Sequence, residues 1–366
     1  MTTVGNGTVG VAVLGAAGTI APAIVHDLAE SPEVGKMLLL DLDAAKAEAV
    51  AAAHGGPNAS ARAVDARENG ELAAALDGID VLVNTASYRI NIDAMRACLA
   101  ARCHYLDLGG LYWLTGRQLE FSQQFERAGL LAVLGIGSSP GKTNLMAARA
   151  LAELGVRAAD SLDICAAGRD PEAGDKFSPP YAVQTLLDEL TMRPVVLRDG
   201  MPIEIEPLSD GGVIDYGDPI GEVETIFTLH SELATFGSSF GAAASSFRLS
   251  LAPRLLTRLK LLVGASPEAV AAAAAEAVPP SSHTTSVHLV RATAGDRTVT
   301  VRAITSPHFG IGGSIVSTAA PIAAAVRLLA RGSLSAVGAH PPELCIDPDE
   351  MFAELETRGC SFSVQS

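Results

Sequence analysis

The sequence predicts an α/β protein in which a Rossmann-type, doubly wound parallel sheet is interrupted by an α+β substrate domain with a mostly antiparallel sheet. Three observations predict it. Val9–Leu14 (VGVAVL) is a continuous apolar run that stops at a glycine turn and runs on into a helical pattern. Short apolar runs then alternate with helical patterns as far as residue 134, which implies right-handed βαβ units. After Gly135 the texture changes to alternating strand patterns, and a helical pattern returns beyond Thr305. The expected division is 1–142 for the first domain, 143–304 for the α+β domain, and 305–366 for a return to the first domain.

The first unit turns on residues 9 to 43. An all-apolar strand is what a parallel sheet covered on both faces requires. Gly15 permits the tight turn, and Gly18 lets backbone approach a pyrophosphate. Ala17, Thr19 and Ile20 complete the turn, and the helix predicted over Ile20–Glu30 aims its first N–H groups at the phosphates. A second run, Met37–Leu40, ends at Asp41, where a carboxylate can take both hydroxyls of an adenosine ribose. The fingerprint is degenerate, with only Gly15 and Gly18 of the usual three glycines. Asp41 and Asp43 flank Leu42, and Lys46 is the next cation. A 2′-phosphate would therefore meet two carboxylates, so NAD is expected over NADP.

The remaining strands of the first half are Ala61–Val64 ending at Asp65, Val81–Asn84, Tyr105–Leu108 and Leu130–Leu134. Helical patterns intervene at Glu71–Leu76, Ile92–Ala101 and Phe121–Ala128. Pro140–Gly155 reads as one long helix with a proline at its start. The second domain shows strands over Ser161–Ala166, Pro194–Arg198, Ile203–Pro207, Glu222–His230, Thr284–Ala292 and Arg297–Ile304. Asp199-Gly200 marks a hairpin, and helices are expected at Ala182–Leu190 and Pro267–Val278. Thr305–Ala330 is helical after a glycine-rich lead. Its apolar Gly310–Ala330 stretch carries Pro321 and Arg327 and reads as a buried helix rather than a membrane span. A short acidic helix, Asp347–Arg358, closes the tail.

Composition narrows the classes. The chain has 366 residues, enough for two cores, with 48% hydrophobic and 18% charged residues. A net charge of −15 and 4% aromatic residues leave no basic stripe and few stacking platforms, so nucleic acid is not an expected partner. The five cysteines lack disulfide-framework or zinc spacing, so free thiols and no metal are expected. The N-terminus lacks a basic region followed by an apolar core, and a cytoplasmic location is expected.

Four segments together resemble the saccharopine dehydrogenase-like superfamily. They are Val81–Gly109 (VLVNTASYRINIDAMRACLAARCHYLDLG), Gly135–Ala148 (GIGSSPGKTNLMAA), Gly221–Phe236 (GEVETIFTLHSELATF) and Gly338–Gly359 (GAHPPELCIDPDEMFAELETRG). The resemblance implies a dinucleotide domain interrupted by a substrate domain, with hydride transfer at the cleft between them. It also implies an amino-acid substrate oxidised at a C–N bond, and a homodimer formed through the substrate-domain sheet. Two positions depart from the family pattern: Ser139 replaces an aspartate, and Ser87 replaces a proline. The leading expectation is an NAD-dependent, lysine 6-dehydrogenase-like enzyme. The alternatives are a reductive condensing enzyme of the saccharopine or carboxynorspermidine type, and an NAD-binding protein without turnover.

Amine oxidation by hydride transfer needs a neutral amine, so a nearby acid or base, or a solvent path, must take a proton. Asp107, at the carboxyl end of the fifth strand, can hold or deprotonate the amine; a loop hydrogen bond is the alternative. Asn84, Thr85 and Ala86 follow the fourth strand, where backbone faces the nicotinamide ribose. Ser139, Pro140 and Gly141 open a helix beside the carboxamide or substrate. Tyr88, Arg89 and Lys142 are candidates for a substrate carboxylate. His230 and Glu232 share one strand face, either as cleft wall or as a structural hydrogen bond. No tyrosine has a lysine four residues on, which excludes short-chain dehydrogenase chemistry, and no G-x-S-x-G elbow is present.

Overall fold

A computed structural model describes residues 8–68 and 70–366; residues 1–7 of the predicted first domain lie outside the described residues. In chain order the first strands and helices are β1 (Val9–Leu14), α1 (Ala21–Ala29), β2 (Val34–Asp41), α2 (Ala44–His54), β3 (Ala59–Ala63) and α3 (Glu71–Ala75). Then come β4 (Val81–Asn84), α4 (Asn91–Ala101), β5 (His104–Asp107), α5 (Leu111–Leu119), α6 (Ser122–Ala128) and β6 (Leu131–Val133). The middle of the chain forms α7 (Lys142–Leu154), β7 (Ser161–Arg169), α8 (Val183–Thr191), β8 (Val195–Arg198), β9 (Met201–Glu204), β10 (Asp210–Asp215) and β11 (Glu222–Phe227). Next are α9 (Leu233–Phe240), β12 (Ala244–Ser250), α10 (Pro253–Leu262), α11 (Pro267–Glu276), β13 (Thr285–Ala294) and β14 (Arg297–Thr305). The chain ends with α12 (Gly313–Ala330), β15 (Gly338–His340), α13 (Pro348–Glu356) and β16 (Cys360–Gln365).

Two compact units result, 1–141 with 318–347, and 142–317 with 348–366. In the first, seven strands pair in the order β15-β6-β5-β4-β1-β2-β3, and every pair is parallel. β1 sits between β2 and β4, so the strand order reverses there. The crevice beyond its carboxyl end is where ligands bind in such sheets. All six residues of β1 are buried, as its apolar run demands.

In the second unit the main path runs β10-β11-β12-β7-β13-β14-β16, with the β8–β9 hairpin attached through β12. Its pairs are antiparallel apart from β12 with β7. Asp199 and Gly200 have φ of 51° and 73°. This is a two-residue turn that sets Met201 opposite Arg198, so the second hairpin strand starts earlier than the apolar pattern from Ile203 suggests. One sheet face carries Cys165, Ala167, Val287 and Leu289, packed with Tyr216. The other lies under α7, which packs across β13 and β14.

The tail divides differently from the sequence expectation. Residues 305–317 and 348–366 belong to the second unit; only 318–347 belong to the first. The physical reason is β16, whose six residues extend the second sheet by pairing with β14. Four strands escape sequence reading. β10 (DGGVID) is glycine-broken and mostly exposed, β12 (ASSFRLS) is largely polar, and β15 and β16 follow helical or proline-rich stretches. α12 is apolar and long enough to cross a membrane, and 83% of its window is buried in the fold. All five cysteines are free.

Candidate functional site

In the first unit the predicted dinucleotide residues converge at the carboxyl ends of β1, β2 and β4. Gly15 has φ +79°, and a Cβ there would lie 2.6 Å from the Ala86 nitrogen. Glycine is thus required twice, by conformation and by the approach of the loop after β4. The Gly18 N–H closes the turn onto the Gly15 carbonyl at 3.0 Å. Asp41 Oδ2 accepts from the Ala17 N–H at 2.9 Å, and Oδ1 from the Asp43 N–H at 3.1 Å. The Thr85 hydroxyl donates to the Leu14 carbonyl at 2.8 Å, and Asn84 Oδ1 accepts from the Ala86 N–H at 3.1 Å. Thr19 is exposed and Ile20 buried just before α1. The first turn of α1 carries no acidic residue, so its positive end is open to an anion.

Asp65 stands beside this group, because the Val64 N–H bonds the Asp41 carbonyl at 2.9 Å. Its carboxylate is engaged by Arg67, with Nε on Oδ1 at 3.0 Å and Nη2 on Oδ2 at 2.7 Å. Arg67 holds the Asp65 carboxyl down to about 2. Tyr88 and Arg89 form a short turn after β4, with the guanidinium 4.6 Å from the tyrosine ring centre. Ser139 and Pro140 belong to a tight loop in which the Gly137 N–H bonds the Pro140 carbonyl at 2.8 Å. A Cβ on Gly141 would meet the Gly137 carbonyl oxygen at 2.4 Å.

Asp107 is where the expected proton-transfer role meets a different geometry. The carboxylate is 1% exposed. Oδ1 accepts from the N–H groups of Gly109 (2.9 Å) and Gly135 (2.6 Å). Oδ2 accepts from Tyr105 (2.8 Å), Gln118 (2.6 Å) and Asn91 (3.1 Å). Five donors saturate the two oxygens, and no lone pair is left for a substrate amine. Burial pushes the carboxyl above its usual range, and the donors oppose that shift. The geometry makes Asp107 the anchor of the loops after β5 and β6. His104 is likewise structural: its Nδ1 accepts from the Leu131 N–H at 3.0 Å, and burial lowers its pKa.

The second unit holds an acid–base cluster that the sequence shows only in part. His230 Nδ1 lies 2.9 Å from Glu232 Oε2, and the imidazole stacks on Phe247 at 3.6 Å. Glu232 Oε1 accepts from the Thr143 hydroxyl at 2.9 Å. Glu189 joins from α8: Tyr181 donates to its Oε2, and its carbonyl accepts from the Leu229 N–H. Burial pushes the Glu189 carboxyl up to about 7, against the pull of His230 and Tyr181. Burial alone would lower the His230 pKa, but Glu232 and Glu189 together raise it. Glu189 carried no periodicity signal, since it lies two residues after Leu187 and off the apolar face of Val183, Leu186, Leu187 and Leu190. An acid only 5% exposed is out of place unless a partner waits for it.

Lys142, the first residue of α7, is 1% exposed. Its ammonium donates to Ser317 Oγ at 2.7 Å and Thr305 Oγ1 at 3.1 Å. Burial lowers its pKa, with the Cys360 thiol opposing.

Residues 11–133 match the saccharopine dehydrogenase NADP binding domain family. The chain carries a saccharopine dehydrogenase-type dinucleotide domain. Across 227 residues the chain is 30% identical to carboxyaminopropylagmatine dehydrogenase of Synechocystis sp., covering 59% of this chain and 56% of that protein. It is also 30% identical over 145 residues to carboxynorspermidine synthase of Vibrio alginolyticus, covering 36% and 34%. The matched stretches therefore span about half of the first relative and a third of the second. In fold it is similar to saccharopine dehydrogenase (L-Glu forming) from Saccharomyces cerevisiae, with a TM-score of 0.72, 15% identity and coverage of 98% and 100%. Homospermidine synthase from Legionella pneumophila, solved with NAD, gives a TM-score of 0.75, 11% identity and coverage of 98% and 91%. At these identities the structural likeness is one of fold alone.

Proposed function

We propose that the protein is an NAD(P)-dependent oxidoreductase acting on a C–N bond of a carboxylated, polyamine-type amine. The observation that carries this reading is the buried Glu189–His230–Glu232 cluster in a chain 30% identical to carboxyaminopropylagmatine dehydrogenase over 227 residues. Hydride exchange at a C–N bond requires a proton to leave or reach nitrogen, and groups poised near neutrality suit that task. The reading departs from the lysine 6-dehydrogenase-like expectation in its donor. The relatives' names combine a carboxyl group with a substituted amine, which moves weight to the condensing type.

The first unit fits a dinucleotide. The Gly15 position leaves the space a Cβ would fill, α1 presents an uncompensated positive end, and Asp41 retains lone pairs beside its two backbone donors. Gly15, Ala17, Gly18, Thr19 and Ile20 would hold the pyrophosphate, and Asp41 the adenosine ribose. Thr85, Ala86, Ser139, Pro140 and Gly141 would serve the nicotinamide end. When bound, the nicotinamide accepts or returns a hydride. NAD is favoured because Lys46 is paired with Asp43 at 3.3 Å and Arg67 with Asp65 at 2.7 Å, so neither is committed to a 2′-phosphate. Glu189, in the electrostatic field of His230, is the proton-handling group of this reading. A homodimer and a cytoplasmic location accompany the proposal.

Nicotinamide reduction at alkaline pH, with NAD and NADP against carboxylated secondary amines and primary amino acids, tests it. Turnover of a carboxylated secondary amine is expected. Turnover of lysine alone would restore the lysine 6-dehydrogenase-like reading, and silence with intact NAD(P) binding would defeat both. Asp41→Ala is expected to weaken NAD binding by roughly ten- to a hundredfold, the worth of one charge-assisted hydrogen bond. Calorimetry showing unchanged affinity would remove Asp41 from the ribose site.

A further inference from the structure

We propose that Lys142 and His288 form an anion subsite in the second unit that takes a carboxylate of the substrate. Two fully buried cations occur among the described residues, and they are treated differently. Arg327 is paired with Asp27 at 2.9 Å. Lys142 has only two hydroxyl partners, and no carboxylate lies within salt-bridge distance of it among the described residues. An ionised ammonium buried without a counter-charge is costly. The acids of this region are already engaged, Glu232 by Thr143 and His230 and Glu189 by Tyr181.

A second group is left incomplete nearby. His288 is 4% exposed, and its Nδ1 has no hydrogen-bond partner. On β13 it points to the same face as Ser286, and Ser286 pairs with Thr305, the residue that accepts from Lys142. Burial pushes the His288 pKa well below its usual value, and the charges of Lys142 and His230 act in the same direction, so the imidazole is neutral. Lys142 also opens the 13-residue α7, whose positive end adds to the field. One ammonium proton and, in the Nδ1–H tautomer, one imidazole N–H are therefore left to donate on the same sheet face. Two donors match the two oxygens of a carboxylate, whereas a phosphate dianion presents more acceptors than the site can satisfy.

That the carboxylate belongs to the substrate rests on the function proposed above; the incompleteness of the subsite does not. The test uses the full chain and glutarate as probe, at constant ionic strength with chloride as control. Lys142→Met removes the unpaired charge and keeps the unbranched shape. In the absence of glutarate it is expected to melt higher than the parent. Glutarate is expected to raise the melting temperature of the parent, and to bind at least tenfold more weakly to Lys142→Met and to His288→Gln by calorimetry. An unchanged parent melting temperature in glutarate would mean that an internal water alone completes these groups, and would overturn the subsite. So would a lower-melting Lys142→Met variant that keeps its glutarate response. A glutarate response without amine-dependent nicotinamide reduction would leave the subsite standing and defeat the proposed function; the converse result would do the reverse.

Discussion

Asp107→Ala is expected to cost about 3–5 kcal/mol of stability, the range for removing one partner from a buried, charge-assisted network. The change removes the acceptor of five donors at once: the N–H groups of Gly109 and Gly135 and the side chains of Tyr105, Gln118 and Asn91. Tyr105 and Gln118 are entirely buried, with no water to turn to, whereas Asn91 keeps the Gly109 carbonyl at 3.2 Å. For a protein of this size the melting temperature should fall by roughly ten degrees. Asp107→Asn separates an anchor from a proton-transfer group. Its amide carbonyl can keep Gly109 and Gly135, while Gln118 turns its own oxygen toward the new NH2. The loss should then be about 1–2 kcal/mol, with turnover of the folded variant within tenfold of the parent. A variant that is fully stable yet inactive would return Asp107 to the chemistry.

Asp107 also shows where reading from sequence stops. Its place at the carboxyl end of β5 was legible, because strand, glycine and helix follow a known order. Its surroundings were not: Gln118 lies on α5, a helix containing Gly116 and opening at Leu111 with φ of +55°. The glycine turn was legible almost residue by residue, since one local geometry sets both its glycines and Asp41. In the second unit the strands with inward apolar residues, such as β13, were found. β12 was missed because Phe247 is its single fully inward aromatic among serines. The His230–Glu232 pair was visible as spacing, but Glu189 is over forty residues away in sequence. Its proximity is tertiary, set by α8 packing beside the end of β11. The same holds for His288 and Lys142, which sequence spacing does not connect.

Glu189→Gln is expected to change both the pH dependence of stability and the reaction. In the folded protein the Glu189 carboxyl titrates near 7, against an ordinary value of 4.5. Between those values the folded state holds a proton that the unfolded state has lost, so stability falls as pH rises. A shift of that size corresponds to about 3 kcal/mol, lost progressively from about pH 4.5 to 7. His230, raised by Glu232 and Glu189, acts in the same direction: its contribution is present below its unfolded value and is lost as pH rises through the folded one. Glutamine cannot ionise, so Glu189→Gln should flatten the acidic part of the slope and leave only the part of the His230 contribution that Glu232 supplies, as denaturant titrations across the pH range would show. If Glu189 handles the proton, turnover should fall by about 10²–10⁴-fold and the limb of the rate profile near neutrality should vanish. Tyr181→Phe provides the check on sign. The phenol donates to the carboxylate and lowers its pKa, so its removal should move that limb to higher pH while the enzyme still turns over. A Glu189→Gln variant that flattens the stability slope but keeps the rate profile would confine the cluster to structure and place the proton elsewhere.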